Sequence, residues 1–383
     1  MDIKERYKLK ITPITPLYLG TGEEIRYFSY EDNKIVVKDV ERFIKEEPEI
    51  NPDEKYQIIN NKETDRIKQE KYKLESLIKE KTNSIKKFVK TIDFKPYIPG
   101  TAIKGGLRTA FLSYLLKDND INCQVKKKIL KEIIPSNLKD TEADNEINRF
   151  LMGSDPQEDI FKAVTVADSN FFGIHNLKVM KIMIYNVKSN KEEWKNFSIF
   201  VEGVDCLNGI LIETTLFIDT NLLKSQEQNI LGQYKDKITI ENIKESARYF
   251  SNSVITTEKN FYKGKKNVEQ IYQFYETLLS TTLTNDEFLT PIGWGTGWTM
   301  KTIVENFNNS NDVSLKDALR KRFLLGKVIC PSCYSSNMNE DRKDKKKMFC
   351  RVCKESFSKD VLKLVYPFPK TRKIVFIDNL PKY

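Results

Sequence analysis

The chain has one histidine in 383 residues. A Ser-His-Asp triad, a histidine metal centre or a histidine acid–base pair could therefore be assembled only around His175. Arginine is also scarce, at 12 of the 64 cationic side chains, so any cationic surface is mainly lysine. No apolar run approaches the length of a bilayer span, and the mean hydropathy is −0.51. The stretch from Met1 to Pro16 is polar and then strand-like, without the apolar core of a signal peptide, and the expected location is the cytoplasm. Six cysteines are too few for a disulfide scaffold in a chain of this size. Hydrophobic residues, at 39%, suffice for packed cores, which excludes global disorder. A net charge of +10 favours a polyanionic partner, although a Lys- and Glu-rich composition is also how heat-adapted proteins look.

Periodicity places strands at Tyr7–Ile14, Lys34–Lys38, Phe161–Asp168, Val179–Val187, Phe197–Val204, Gly209–Ile218 and Ile374–Ile377. Short helices are expected at Val40–Lys45 and from Thr299, with mostly helical segments over 222–285. Residues 53–92 and 117–158 read as charged helical insertions facing solvent, and Thr101 reads as the N-cap of an amphipathic helix running to about Leu116. Strands interrupted by helices without strict alternation give an α+β class.

The most specific spacing is Cys330-Pro-Ser-Cys333, sixteen residues, then Cys350-Arg-Val-Cys353. Two such knuckles match a structural Zn2+ site, and four sulfur ligands leave no open position for catalysis. Between them Asp341–Lys347 is strongly basic, either a backbone-contacting segment or a solvated hairpin tip.

Two glycine loops stand out, Leu19-Gly20-Thr21-Gly22 and Gly293-Trp294-Gly295-Thr296-Gly297-Trp298. The second is one residue short of a phosphate-binding P-loop, with Met300 where the second glycine belongs, so nucleotide hydrolysis is not supported. Its alternating glycines could admit a phosphate chain, with Lys301 behind them, and its tryptophans could stack on bases or belong to the core. Lys104-Gly105-Gly106-Leu107-Arg108 sets Lys104 and Arg108 on one helical face, and Lys370-Thr371-Arg372-Lys373 is a second cationic cluster. Either is also what an ordinary solvated surface looks like. Asp168 ends a strand, where it could act chemically or serve as a cap.

Taken together, Leu9–Gly22, Val36–Phe43, Tyr97–Arg108, Ile292–Lys301 and Lys370–Arg372 resemble, in this order, the RAMP proteins of CRISPR-associated type III-A systems. Within that group the pattern is similar to the family forming the fifth subunit of the Csm effector complex. The resemblance implies two ferredoxin-like, RRM-like modules, here 1–175 and 176–383, the second carrying a small zinc-ribbon-like insertion at 330–353. It further implies a non-catalytic subunit that binds crRNA through Gly20, Thr21, Gly22, Lys104, Gly105, Arg108, the 293–298 loop, Lys301, Lys370 and Arg372. Such a subunit caps the filament of repeated backbone subunits near the crRNA 3′ end, contacts other Csm subunits and assists crRNA maturation with host nucleases. The rival reading is a standalone RAMP-type endoribonuclease using His175; a zinc-ribbon DNA-binding regulator ranks below both, for want of a major-groove helix.

Overall fold

In the computed structural model of the chain, strands such as Glu70–Ser76 and Ile212–Asp219 alternate inward with outward residues. The structure describes residues 4–133, 143–188, 191–206, 209–224, 232–265, 267–296, 299–301, 303, 327–328, 330, 332, 337–341, 344–359, 364–365 and 371–376. The first part runs β1 (Lys4–Ile11), β2 (Gly20–Ile25), β3 (Phe28–Glu31), β4 (Lys34–Lys38), α1 (Val40–Glu46), α2 (Pro52–Asn60), β5 (Glu70–Ser76), β6 (Ile85–Phe88) and α3 (Gly100–Leu115). The middle adds α4 (Asn119–Lys128), α5 (Ala143–Met152), β7 (Val164–Val166), β8 (Leu177–Lys188), β9 (Lys191–Val204), β10 (Ile212–Asp219), α6 (Thr220–Lys224), α7 (Ile240–Tyr262) and α8 (Glu269–Ser280). The last part holds β11 (Lys327–Val328), β12 (Met338–Glu340), β13 (Lys347–Cys350), β14 (Ser356–Ser358), β15 (Leu364–Val365) and β16 (Thr371–Phe376).

An eight-stranded sheet has the order β2-β6-β9-β8-β5-β4-β3, with β16 pairing the later half of β8. A smaller sheet has the order β1-β10-β7, and β12-β13-β14 form a separate antiparallel meander. This is the α+β class expected from the sequence. β1 pairs β10 across eight residues, and β5 runs parallel to the start of β8.

Residues 53–92 correct the expectation of a helical insertion. Only α2 and a single 3₁₀ turn at Thr64–Arg66 are helical, and the segment also supplies the strands β5 and β6. In β5 the inward residues Tyr72 and Leu74 are buried between outward Lys71, Lys73 and Glu75. Set among so many charges, that period-2 pattern resembles one helical face. Within 117–158, α4 and α5 are helical as expected but do not simply face solvent. Ile121, Val125, Ile129, Leu151 and Met152 are buried in the main core, each contributing roughly 1.5–3 kcal/mol.

Helix α3 is the hub of that core. Ile103, Leu107 and Phe111 follow the i, i+4, i+8 spacing of a single helical face, and all three are buried. One edge of that face meets α7, where Ala110, Phe250 and Val254 cluster with Met300 against them. The residue that spoils the P-loop pattern is therefore a packing residue.

The start of α3 differs from the expected Thr101 cap. Pro99 occupies the N-cap position, and the Gly100 N–H donates to the Asp168 carboxylate at 2.8 Å. A Cβ on Gly100 would lie 2.0 Å from the Val166 carbonyl oxygen, so only glycine allows the helix to begin against β7.

Candidate nucleic-acid interface

Three segments far apart in sequence meet at one place. Leu17 is bridged to Val204 of β9 by reciprocal backbone bonds, and the Val89 N–H donates to the Leu19 carbonyl. These bonds pin the first glycine segment to the large sheet; contrary to the expected loop, Gly20, Thr21 and Gly22 form the exposed, irregular start of β2, with Gly20 paired to Phe88 of β6. The Trp294 N–H donates to the Tyr18 carbonyl at 2.9 Å. Gly293, at φ +89°, lies so close that a Cβ would approach that same oxygen to 2.6 Å. On the other side, a Cβ on Gly106 would sit 3.1 Å from both the Pro291 carbonyl and the Thr290 hydroxyl. The first glycine loop, the α3 motif and the second glycine loop thus form one continuous surface element.

The residues of this element differ in what they offer. Trp294 is half-buried, packs on the core and meets the Tyr18 ring edge-on at 5.7 Å, so it buttresses the loop junction. Gly295, at φ +95°, has open space around it, and the Thr296 hydroxyl donates back to the Gly293 carbonyl. Lys301 is exposed at the end of a short 3₁₀ turn, Thr299–Lys301. Gly297, Trp298 and Lys370 lie outside the described residues. The Arg372 backbone pairs with Tyr185 of β8, which places Thr371 and Arg372 at the start of β16.

On α3, Lys104 is half-buried and Gly105 exposed, with nothing within 4 Å of a Cβ built there. Burial holds the Lys104 ammonium below its ordinary pKa; the Asp159 carboxylate opposes this, and the Arg108 guanidinium adds to it. Arg108 donates to Asp159 Oδ2 at 2.8 Å and to Asn148 Oδ1 at 3.1 Å.

A buried ionic cluster, which the sequence reading missed, lies beneath the first glycine loop. Glu202 accepts from the Tyr72 hydroxyl at 2.8 Å, from the Phe88 N–H at 2.6 Å and from the Lys90 ammonium. The side chains of Lys90 and Glu202 are 1% and 0% exposed. Burial pulls the Lys90 pKa down against the attraction of Glu202, while burial and Glu202 together push Tyr72 up. Tyr18 is pushed up to about 12, mainly by burial, with the charges of Glu202 and Glu24 adding. Glu202 lies in a run reading Phe-Val-Glu-Gly-Val, where a lone acid inside an apolar strand was the available signal.

His175 is exposed, with its ring 3.1 Å from the Asn176 amide. Among the described residues it has no carboxylate partner.

The cysteine hairpin is a separate centre. The thiols of Cys330, Cys350 and Cys353 lie within 4.8 Å of one another, and the first and last are 3.4 Å apart, too far for a disulfide. A turn with Lys354 at φ +66° folds Cys353 back towards Cys350, whose carbonyl accepts the Lys354 N–H. These three convergent thiols can hold a metal ion. Cys333 lies outside the described residues.

A profile of the RAMP superfamily matches residues 10–301. The chain belongs to the RAMP superfamily. The span matched contains all three converging segments and ends before the cysteine hairpin. This RAMP protein is 25% identical over 319 residues to the "CRISPR system Cms protein Csm5" of Methanocaldococcus jannaschii, covering 77% of this chain and 72% of the relative. It is 24% identical over 265 residues to the protein of the same name from Streptococcus thermophilus, covering 60% of this chain and 70% of the relative. Its fold is similar to a chain in a cryo-EM structure of a Csm–crRNA–target RNA ternary complex of a type III-A CRISPR-Cas system. There the TM-score is 0.66 at 19% identity, over 96% of this chain and 97% of the other. It is also similar to the crystal structure of T. onnurineus Csm5, with a TM-score of 0.61 at 21% identity, over 81% and 96% of the two chains. Among the described residues no helix is long and apolar enough to cross a membrane.

Proposed function

We propose that this RAMP protein is the crRNA-binding Csm5-type subunit of a type III-A Csm complex. The observation that carries the reading is the junction of the two glycine loops with Lys104–Arg108 of α3. Exposed glycines there let an extended phosphate chain approach the protein backbone, and lysines stand beside them. The subunit caps the backbone filament near the guide's 3′ end in the cytoplasm, contacts the repeated backbone subunit and assists guide maturation by placing separate nucleases. It performs no cleavage itself. The names of the two Csm5 relatives and of the Csm–crRNA structure support this assignment.

The cysteine hairpin holds structural zinc, with Cys333 as the fourth ligand. The fit rests on three convergent thiols and on the spacing of two CxxC knuckles, a donor set suited to Zn2+. Cys330, Cys333, Cys350 and Cys353 would hold the ion, which ties the β12-β13-β14 meander into a stable unit.

The test is purification of the tagged chain with its genomic neighbours, followed by sequencing of bound RNA and by titration with labelled guide RNA at several salt concentrations. Binding dominated by phosphate contacts falls steeply with salt. Recovery of no guide-sized RNA, or binding indifferent to salt, would overturn the reading.

A further inference from the structure

The motif Lys104–Arg108 contains two cations one helical turn apart, and the structure gives them different surroundings. Arg108 is committed to the interior side. Its two terminal nitrogens reach Asn148 on α5 and Asp159 in the segment that leads to β7. Asp159 is equally committed, since its second oxygen accepts the Phe161 N–H at 2.8 Å. Swinging Arg108 out to a phosphate would strand the Asp159 carboxylate, only 25% exposed, beside that phosphate. Lys104 forms no salt bridge among the described residues, although Asp159 is near enough to act on it through space.

The face next to Lys104 is bare. Thr101 and Gly105 are both exposed, one turn apart, and Thr109 follows one turn later with its hydroxyl donating to the Gly105 carbonyl at 3.1 Å. No side chain projects from Gly105, and a Cβ there would meet nothing within 4 Å. The neighbouring Gly106 instead abuts Thr290 and Pro291 of the second glycine loop.

We infer a division of labour on α3. Lys104 and the bare surface at Gly105 receive the phosphodiester backbone of single-stranded RNA. Arg108 is a positioning residue that docks the 117–158 insertion onto α3 and neutralises Asp159. This inference rests on the RNA-binding reading and assigns the residues within it.

The test uses the full-length protein and a labelled single-stranded oligouridylate, with affinity measured against salt and the melting temperature followed for every variant. Lys104→Gln weakens binding and reduces the log–log salt slope by about 0.7, the value for one phosphate contact on a single strand. Gly105→Leu weakens binding without lowering the melting temperature. Arg108→Gln weakens binding by exposing the Asp159 charge, so the double variant Arg108→Gln/Asp159→Asn regains wild-type affinity. Asp159→Asn alone binds at least as tightly as wild type. Double-variant binding as weak as that of Arg108→Gln would overturn the role given to Arg108. Wild-type affinity in Gly105→Leu, or an unchanged salt slope in Lys104→Gln, would overturn the phosphate surface. Failure of the wild type to bind RNA at all would instead overturn the functional reading beneath it.

Discussion

The backbone N–H of Trp294 donates to the carbonyl of Tyr18, and their rings meet edge-on at an interplanar angle of 85°. That single relationship fuses two glycine loops from opposite ends of the matched region into one surface. Gly293 permits the approach, because any Cβ there would collide with the Tyr18 carbonyl oxygen that accepts the bond.

Glycines of α3 diverge in what they tolerate. Gly100→Ala forces a methyl group against the Val166 and Ala167 carbonyls and is expected to cost about 1–3 kcal/mol. Gly105→Ala meets nothing and gains roughly 0.5–1 kcal/mol from the better helix propensity of alanine. Urea unfolding of the two variants should move in opposite directions from wild type.

Removing the Asp168 carboxylate leaves the Gly100 N–H without its partner at the start of α3. Asp168→Ala is expected to destabilise the fold by about 1 kcal/mol, as loss of a helix cap does, whereas Asp168→Asn keeps an acceptor and loses less. Equal losses in the two variants would show that the charge, rather than the acceptor, is what matters.

Glu202→Ala leaves the Lys90 ammonium buried with no counter-charge. The expected cost is about 3–5 kcal/mol, read as a large drop in melting temperature. Replacing Lys90 and Glu202 together by methionine and leucine should recover part of that loss, because the pair carries a desolvation cost of its own, while the Phe88 N–H and Tyr72 hydroxyl still lose their acceptor. A single variant as stable as wild type would show that the ion pair does not form.

Tyr18 supplies a pH dependence at the alkaline end. Its pKa is raised from 10.0 to about 12 in the folded state. The unfolded chain therefore releases the proton first, and the contribution is whole below pH 10 and declines as pH rises towards 12. Tyr18→Phe lacks that component, so its stability should fall less across this window than that of the wild type.

Metal analysis of the purified protein should return about one zinc per chain, and Cys350→Ser should lose it. Chelation is expected to release the β12-β13-β14 meander to proteolysis while the main core keeps its melting transition. Loss of the whole fold on chelation would mean that the hairpin supports the core as well.

Much of the architecture was legible from residues alone where a segment has one strong period. The alternation that buries Ile212, Thr214, Leu216 and Ile218 on one side of β10 is plain in the sequence, as is the apolar stripe of α3. Residues 70–88 were not legible, because Lys and Glu outnumber the few inward residues of β5 and β6. Solvated flanks make a half-buried strand resemble a charged helix when only composition is weighed. The candidate site shows the same split. Its glycines and cations were marked by residue type and spacing, whereas the commitment of Arg108 to Asp159 and Asn148 depends on partners 51 and 40 residues away.

The sequence by itself determined the α+β class, the paired cysteine knuckles, the two glycine loops and the basic helix entrance, since each is written in local spacing. Only the tertiary structure decided that the loops and α3 form one surface, that Asp168 caps the helix, and that Lys90 and Glu202 share a buried site. The physical reason is the same in each case. A hydrogen bond or ion pair between distant segments leaves no periodic trace in either, because its position is set by how the sheets and α3 pack.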